Sequence, residues 1–495
     1  VTARWLALPL LTVALAACPS AKPPLPVEPK DPVPQTVDVL GEKPQLSSPI
    51  PFKAPEPEVY QTEQGMTVWL IERHALPVVS FSLSIPTGAA DDPPGKAGLA
   101  HMSAGMMDEG AGDRGAIEIS DTINDLGADM WTSVGRDGSR ASLTVLSRNL
   151  DEAFEVYADV VARPRFEEKE FQRVHKQWLD GLTRRNDSVS SVARVVRAAV
   201  LYGPGTPYGH PSSGLIDTAK KIDLEGAKAF YRAAWRPDQA TLVVGGDITR
   251  EKLDALLAKH FDDWVKPKEP APPRISLPKP LSKRPKLVLV DRPGAPQSVI
   301  TIIGDGVPAD SEDGPLLDLV NTALGGSFTS RLNQNLREDH GWTYGARSGF
   351  VETRGVGPFV ASSAVFTNVT APALREMLAE IDKMAASGLT DDEYKKVRAR
   401  DLTDLIETNE TLGSLVGRLS SLGILGLGYE HDAQASQARQ AASKAELDAL
   451  AKRYLDTSKM SIIIVGPKDQ VLPQLKTLGM DDPEMWSVEG RPLAN

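Results

Sequence analysis

The chain has 495 residues, 41% hydrophobic and 24% charged, enough for more than one domain with a full core. A formal net charge of -11 without long Lys/Arg runs excludes an electrostatically driven nucleic-acid binder. A single cysteine excludes an intrachain disulfide.

An apolar run from Trp5 to Ala17 follows Arg4. It is too short for a stable membrane span and reads as a secretory signal, with Val1 expected to be an alternative start codon read as Met. Leu15-Ala16-Ala17-Cys18 resembles a bacterial lipobox, which implies cleavage before Cys18 and its lipidation. An ordinary signal peptide cut near Ala17 is the alternative. Pro19 in place of an Asp favours the outer membrane, so the expected location is the cell envelope, lipid-anchored at the periplasmic face of that membrane. Residues 19–57 are Pro-rich and aperiodic, a tether.

Folded pattern begins near Val59. Thr67 to Ile71 reads as a strand, and Val78 to Ile85 alternates as a half-buried strand should. A helix is expected from about Ala97, another from Ser120 to Leu126, and strands over Met130 to Val134 and Ser139 to Leu146. Long helices are expected at 150–162, 168–185 and 189–201, a buried strand at Thr241 to Asp247, and a closing helix from Lys252 to Phe261. Residues 266–284 are rich in Pro and Lys and read as a linker. The pattern then restarts, with strands at Leu287 to Val290 and Ser298 to Ile303 and helices at 314–323 and 329–337. Strands at 343–351 and 358–365, helices at 370–386 and 391–408, and a buried strand over Ser461 to Gly466 complete it.

The halves resemble each other. Phe166 to Phe171 is matched by Leu389 to Tyr394, each opening a long helix; Val174 and Leu179 pair without a gap with Val397 and Leu402. The strand near Val244 is matched by that near Val465. Two copies of about 200 residues, each alternating strands and helices, predict a duplicated α+β domain. The expected boundaries are 1–18 for the signal, 19–57 for the tether, 58–265 and 285–490 for the domains, and 266–284 for the linker.

Several segments, in order, carry a resemblance to the M16 peptidases (pitrilysin, insulin-degrading enzyme, mitochondrial processing peptidase), in their short two-domain bacterial branch. They are Gly98-Leu99-Ala100-His101, Asp125 to Ala128, Tyr208-Gly209-His210-Pro211, and Phe230-Tyr231 with Trp235-Arg236-Pro237. In the second half, Leu324 to Leu332 leads to Leu336-Arg337-Glu338 and Gly341-Trp342-Thr343-Tyr344. The resemblance implies two homologous domains, each a mostly antiparallel sheet with helices on one face, forming half of a clamshell (the LuxS/MPP-like metallohydrolase fold).

It also identifies a departure. The inverted zinc motif His-x-x-Glu-His places two His ligands and a Glu base on one helix. Here His101 holds the first position, but Ala104 stands for the Glu and Gly105 for the second His. Neither methyl nor hydrogen binds a metal or takes a proton. The third ligand position falls on Val174, with His175 one residue away. Asp108 and Glu109, two helical turns on, are too far from His101 to share its metal. Met102, Met106 and Met107 are expected to pack in the core. In the second half the family's substrate-contacting Arg, and a Tyr seven residues later, match Arg337 and Tyr344; the residues alone allow a surface ion pair for Arg337 and a sheet-core place for Tyr344. Gly325-Gly326 lacks a phosphate-loop pattern and reads as a tight turn starting a helix, with Ser327 or Thr329 near the N-cap.

The resemblance therefore implies a non-catalytic subunit of a heterodimeric zinc metallopeptidase, inactive alone. It binds no cofactor itself; zinc is expected on an M16 partner with intact His-x-x-Glu-His. Unfolded peptide is the expected substrate, the membrane is met through the lipid anchor, and no nucleic acid is expected. A peptide-binding or scaffold protein of the envelope is the alternative, and a zinc enzyme with atypical ligands a third reading.

Overall fold

The computed structural model describes residues 55–494; the signal, Cys18 and most of the tether lie outside the described residues. Two six-stranded sheets organise the rest. The first comprises β1 (Glu58–Gln61), β2 (Thr67–Glu72), β3 (Val78–Ile85), β4 (Asp129–Val134), β5 (Ser139–Leu146) and β6 (Thr241–Gly246), in the order β1-β2-β6-β3-β5-β4. The second comprises β7 (Leu287–Asp291), β8 (Gln297–Asp305), β9 (Thr343–Phe350), β10 (Pro358–Phe366), β11 (Ser461–Gly466) and β12 (Glu484–Met485), in the order β12-β7-β11-β8-β10-β9. In both sheets one pair is parallel, β2 with β6 and β7 with β11; the other pairings are antiparallel except that of β12, which lies parallel to β7. The architecture is α+β and duplicated over five strands of each sheet; the sixth differs, β1 opening the first half and β12 closing the second.

Each sheet packs one face on helices of its own half. Phe81, Leu83 and Leu143 meet Phe154 and Tyr157 of the Leu150–Ala162 helix; Ile300, Ile302 and Phe359 meet Leu374 and Met377 of the Thr370–Ser387 helix. The opposite faces are closed by exchange. The Val189–Tyr202 helix of the first half covers the second sheet, setting Val192, Val196 and Val200 against Val299, Ile303, Ile463 and Val465. The Leu412–Leu425 helix of the second half covers the first sheet, setting Leu415, Val416 and Leu419 against Trp69, Ile71 and Val243.

This exchange corrects the half-buried reading of β3. Its alternate residues Ser80, Ser82 and Ser84 are each only 2% exposed. They face the incoming helix, and Ser82 Oγ donates to Ser420 Oγ at 2.9 Å. Small hydroxyl side chains let a helix approach where larger polar ones would hold it off. A polar-looking stripe is thus an interface.

The halves meet again at a buried cluster. Arg354 Nε lies 3.3 Å from Asp137 Oδ1, and Tyr208 Oη donates to the same carboxylate while accepting from Gly355 N at 3.1 Å. The 266–284 segment carries neither helix nor strand. It is nonetheless tied down, with Leu281 N donating to Leu201 O at 2.8 Å.

Leu419→Ala empties a buried site between the halves and is expected to destabilise the protein by about 2–5 kcal/mol. It should also raise amide exchange in β3 and β6, strands of the other half; exchange confined to the second half would contradict the interlock.

Candidate functional site

The helix at the first-half site is short, Leu99–Ala104, closing at Gly105. Two features fix it. Gly98 sits at φ +98, and a Cβ there would lie 2.6 Å from Trp178 Cζ2, so only glycine fits. The Asp92 carboxylate accepts from Gly98 N at 2.6 Å and Ala100 N at 2.7 Å, satisfying N–H groups that the helix leaves open. Burial pushes the Asp92 carboxyl up to about 7 against the pull of those same N–H groups.

His101 faces an open hollow of 450 Å³ with Val174, Gln177, Trp178, Leu182 and Arg185 around it. Its ring lies 5.7 Å from the Trp178 ring, and burial pushes its pKa down, so the imidazole is held neutral. Ala104 is buried in the core, and its carbonyl accepts from Thr132 Oγ1 at 3.3 Å. Val174 comes from the Glu168–Arg185 helix to the same hollow and brings only an isopropyl group. His175 points elsewhere: its Nε2 is 2.9 Å from Ala219 O, and its ring stacks on Phe171.

The helix ends before Asp108 and Glu109, so these are not two turns along it as the sequence reading has them. Glu109 pairs with Arg173. Among the described residues no three His, Cys, Asp or Glu side chains converge on a point where a metal could sit. The donor set at this site, one imidazole beside methyl, hydrogen and isopropyl, does not fit zinc. Met102, Met106 and Met107 are all buried and fill the core around the helix.

The second-half site stands on β9, an edge strand. Tyr344 is 89% exposed, which removes the sheet-core alternative. Arg337 Nε is 3.5 Å from Glu338, but its guanidinium also lies over the exposed Phe328 ring, 4.5 Å from the centroid. Such stacking steadies a long side chain while leaving its N–H groups free.

The surrounding backbone departs from the sequence reading. Asp313–Asn321 is an α-helix that widens into a π-helical turn over Thr322–Gly326; the Arg331–Asn333 turn widens likewise over Gln334–Asp339. Gly325 and Gly326 therefore end a helix rather than start one, and Ser330 holds the next N-cap. The glycine is steric: a Cβ on Gly325 would lie 2.3 Å from Ser348 Oγ of β9. Asn321 Nδ2 donates to Ser348 O at 2.9 Å, and its Oδ1 accepts from Ser348 Oγ at 2.6 Å. Asn333 Nδ2 donates to Phe328 O at 2.7 Å, and its Oδ1 accepts from Ala346 N at 3.2 Å. Both sides of the 327–330 loop are thus braced on β9. Phe328 and the two asparagines lie in or beside the quoted motifs, but no spacing rule singles them out. A guanidinium and a phenol on a fixed frame can donate to carbonyl oxygens; they form no nucleophile–base pair.

The chain matches two family models, insulinase (peptidase family M16) over residues 67–201 and peptidase M16 inactive domain over residues 221–400. It is 23% identical to an uncharacterized zinc protease of Mycobacterium leprae, over 72% of this chain and 79% of that protein. It is 21% identical to a non-peptidase homolog of Helicobacter pylori, over 80% of this chain and 91% of that one. Its fold is similar to a crystal structure of a peptidase M16 inactive domain from Pseudomonas fluorescens, with TM-score 0.76 and 25% identity over 83% of this chain and 98% of that one.

A depressed histidine pKa makes the folded state bind fewer protons than the unfolded one, so this contribution to stability is present above pH 6.5 and lost as pH falls. His101→Leu is expected to flatten part of that acid limb. Unfolding midpoints compared at pH 7.5 and pH 5 read the effect; parallel curves for both proteins would show that the fold leaves the His101 pKa unshifted.

Proposed function

Since the chain belongs to the M16 peptidase family, we propose that it serves as the non-catalytic subunit of a heterodimeric zinc metallopeptidase. One contrast carries this reading. The metal face has lost its donors at Ala104, Gly105 and Val174, while Tyr344 stands exposed on a braced edge strand and a partly exposed Arg337 sits on the widened turn before it. The proposed partner is an M16 subunit with intact His-x-x-Glu-His, and zinc belongs to that partner alone.

In this account an unfolded peptide lies between the two subunits. The Arg337 guanidinium and the Tyr344 hydroxyl donate to its carbonyl oxygens and to the negative charge that develops on the one under attack. Phe328 keeps the guanidinium from swinging away. The rest of this chain supplies the chamber wall. The assembly is anchored through Cys18 at the periplasmic face of the outer membrane. That relatives include both a zinc protease and a non-peptidase homolog supports division of labour within the family. The same lack of donors also supports a second reading, an envelope peptide-binding or scaffold protein with no protease role.

Pull-down of the chain from its native envelope is expected to retain an M16 protein carrying the intact motif. Arg337→Ala in the reconstituted complex should lower kcat by about 10²-fold, and Tyr344→Phe should lower it less. A complex whose peptidase activity ignores both changes would remove the split-site role. Absence of any such partner would leave the binding-protein reading.

A further inference from the structure

A second hollow, of 550 Å³, opens in the second half, away from both former and exposed site residues. The Asp313–Asn321, Asp391–Glu410, Leu412–Leu425 and His431–Ala441 helices wall it, together with the residues that follow β9. Five carboxylates face it, those of Asp318, Glu352, Asp401, Asp404 and Asp432, against the guanidinium groups of Arg418 and Arg439.

Both guanidinium groups are already engaged. Arg418 binds Asp432 at 2.7 Å and Glu352 at 2.7 Å, and Arg439 Nε donates to Asp401 Oδ1. What remains is negative. The Asp401 side chain is only 10% exposed, and its Oδ2 has no hydrogen-bond partner. Asp318, on the facing helix, is an exposed residue that lines the same hollow. Desolvation by the neighbouring helices pushes its carboxyl up to about 6, with Arg439 drawing it down and Glu352 raising it. A buried carboxylate oxygen without a donor, as at Asp401, costs free energy unless something compensates it.

We infer that this hollow binds an organic cation, an alkylammonium or guanidinium group on an apolar stem. The wall chemistry selects this class. Pro315, Leu319, Phe350, Val397 and Leu405 line the space between the carboxylates and suit the methylene stem of such a group. A bare metal ion is a poorer match, because no three of these side chains converge at metal distance. The cationic head donates to Asp318 and to the free Oδ2 of Asp401. Two sources carry this chemistry, a basic side chain of a peptide and a free polyamine. Binding is a property of this chain alone and does not rest on the partner or on peptidase activity.

Calorimetry on the full chain tests it with three probes: an acetylated, amidated Ala-Ala-Arg-Ala-Ala peptide, its neutral citrulline counterpart, and spermidine. The arginine peptide is expected to bind at least tenfold more tightly than the citrulline one, the ~1.4 kcal/mol or more of a charge-assisted contact. Asp318→Asn should weaken binding by a similar factor while leaving the thermal midpoint level or higher, since it removes one charge from a group of five carboxylates. Spermidine binding without the peptide would assign a free polyamine, and the reverse a peptide side chain. Equal affinity for the arginine and citrulline peptides with no spermidine binding overturns the inference, whatever the variants do. Should Asp318→Asn fail to fold, Asp318→Ser replaces it, and unchanged affinity there counts against the site.

Discussion

Each sheet of this protein is completed by a helix from the other half. The Val189–Tyr202 helix buries a broad apolar face, with Val192, Val196 and Val200 set on the second sheet. The Leu412–Leu425 helix does the same for the first sheet. Burial of each such side chain contributes on the order of 1.5–3 kcal/mol, and all of it is lost if the halves part. The two copies are therefore one cooperative body despite the Pro-rich segment between them. The Asp137–Tyr208–Arg354 cluster adds a polar lock at the same junction. It is specific more than stabilising, because its charges were taken out of water to form it.

That rigidity explains how a metal site can disappear without loss of the fold. The Leu99–Ala104 helix is held by Asp92 at its start, by Gly98 against Trp178, and by the buried methionines behind it. None of these holds depends on a metal. Ala104 and Val174 then cost nothing structurally, and a neutral His101 rests against an aromatic ring. On the second half the balance differs. Two π-helical turns and the Asn321 and Asn333 bonds hold Phe328, Arg337 and Tyr344 out toward solvent. Widened turns of this kind recur at functional sites, where they re-aim side chains at some cost in backbone regularity. Phe328 and Tyr344 are both exposed, and the Arg337 guanidinium stacks on the first.

Much of this is legible in the sequence, for physical reasons. Strand period and apolar runs mark β2, β3, β5, β6, β8 and β11, and the paired openings at Phe166 and Leu389 reveal the duplication. The missing donors at Ala104 and Gly105 are visible because the motif around His101 fixes where they belong. What escapes is whatever depends on the other half. Ser80, Ser82 and Ser84 look like a solvent face because nothing local shows that Ser420 will meet them. The helices from Leu412 to Tyr454 are passed over by the periodicity reading, though one of them closes the first sheet. The π-helical turns are invisible to a 3.6-residue template. Asp318, Asp401 and Glu352 come from separate segments, so only the folded chain brings them to one hollow.

With methyl, hydrogen and isopropyl at Ala104, Gly105 and Val174, His101 has no co-ligands among the described residues and the chain cannot hold zinc there. Zinc titration of the isolated full chain, followed by calorimetry and by metal analysis after gel filtration, tests it most directly. The account predicts no stoichiometric zinc retained, with His101→Leu indistinguishable from the native protein. One tightly held zinc per chain, lost in His101→Leu, would contradict this and restore a metal centre to the chain.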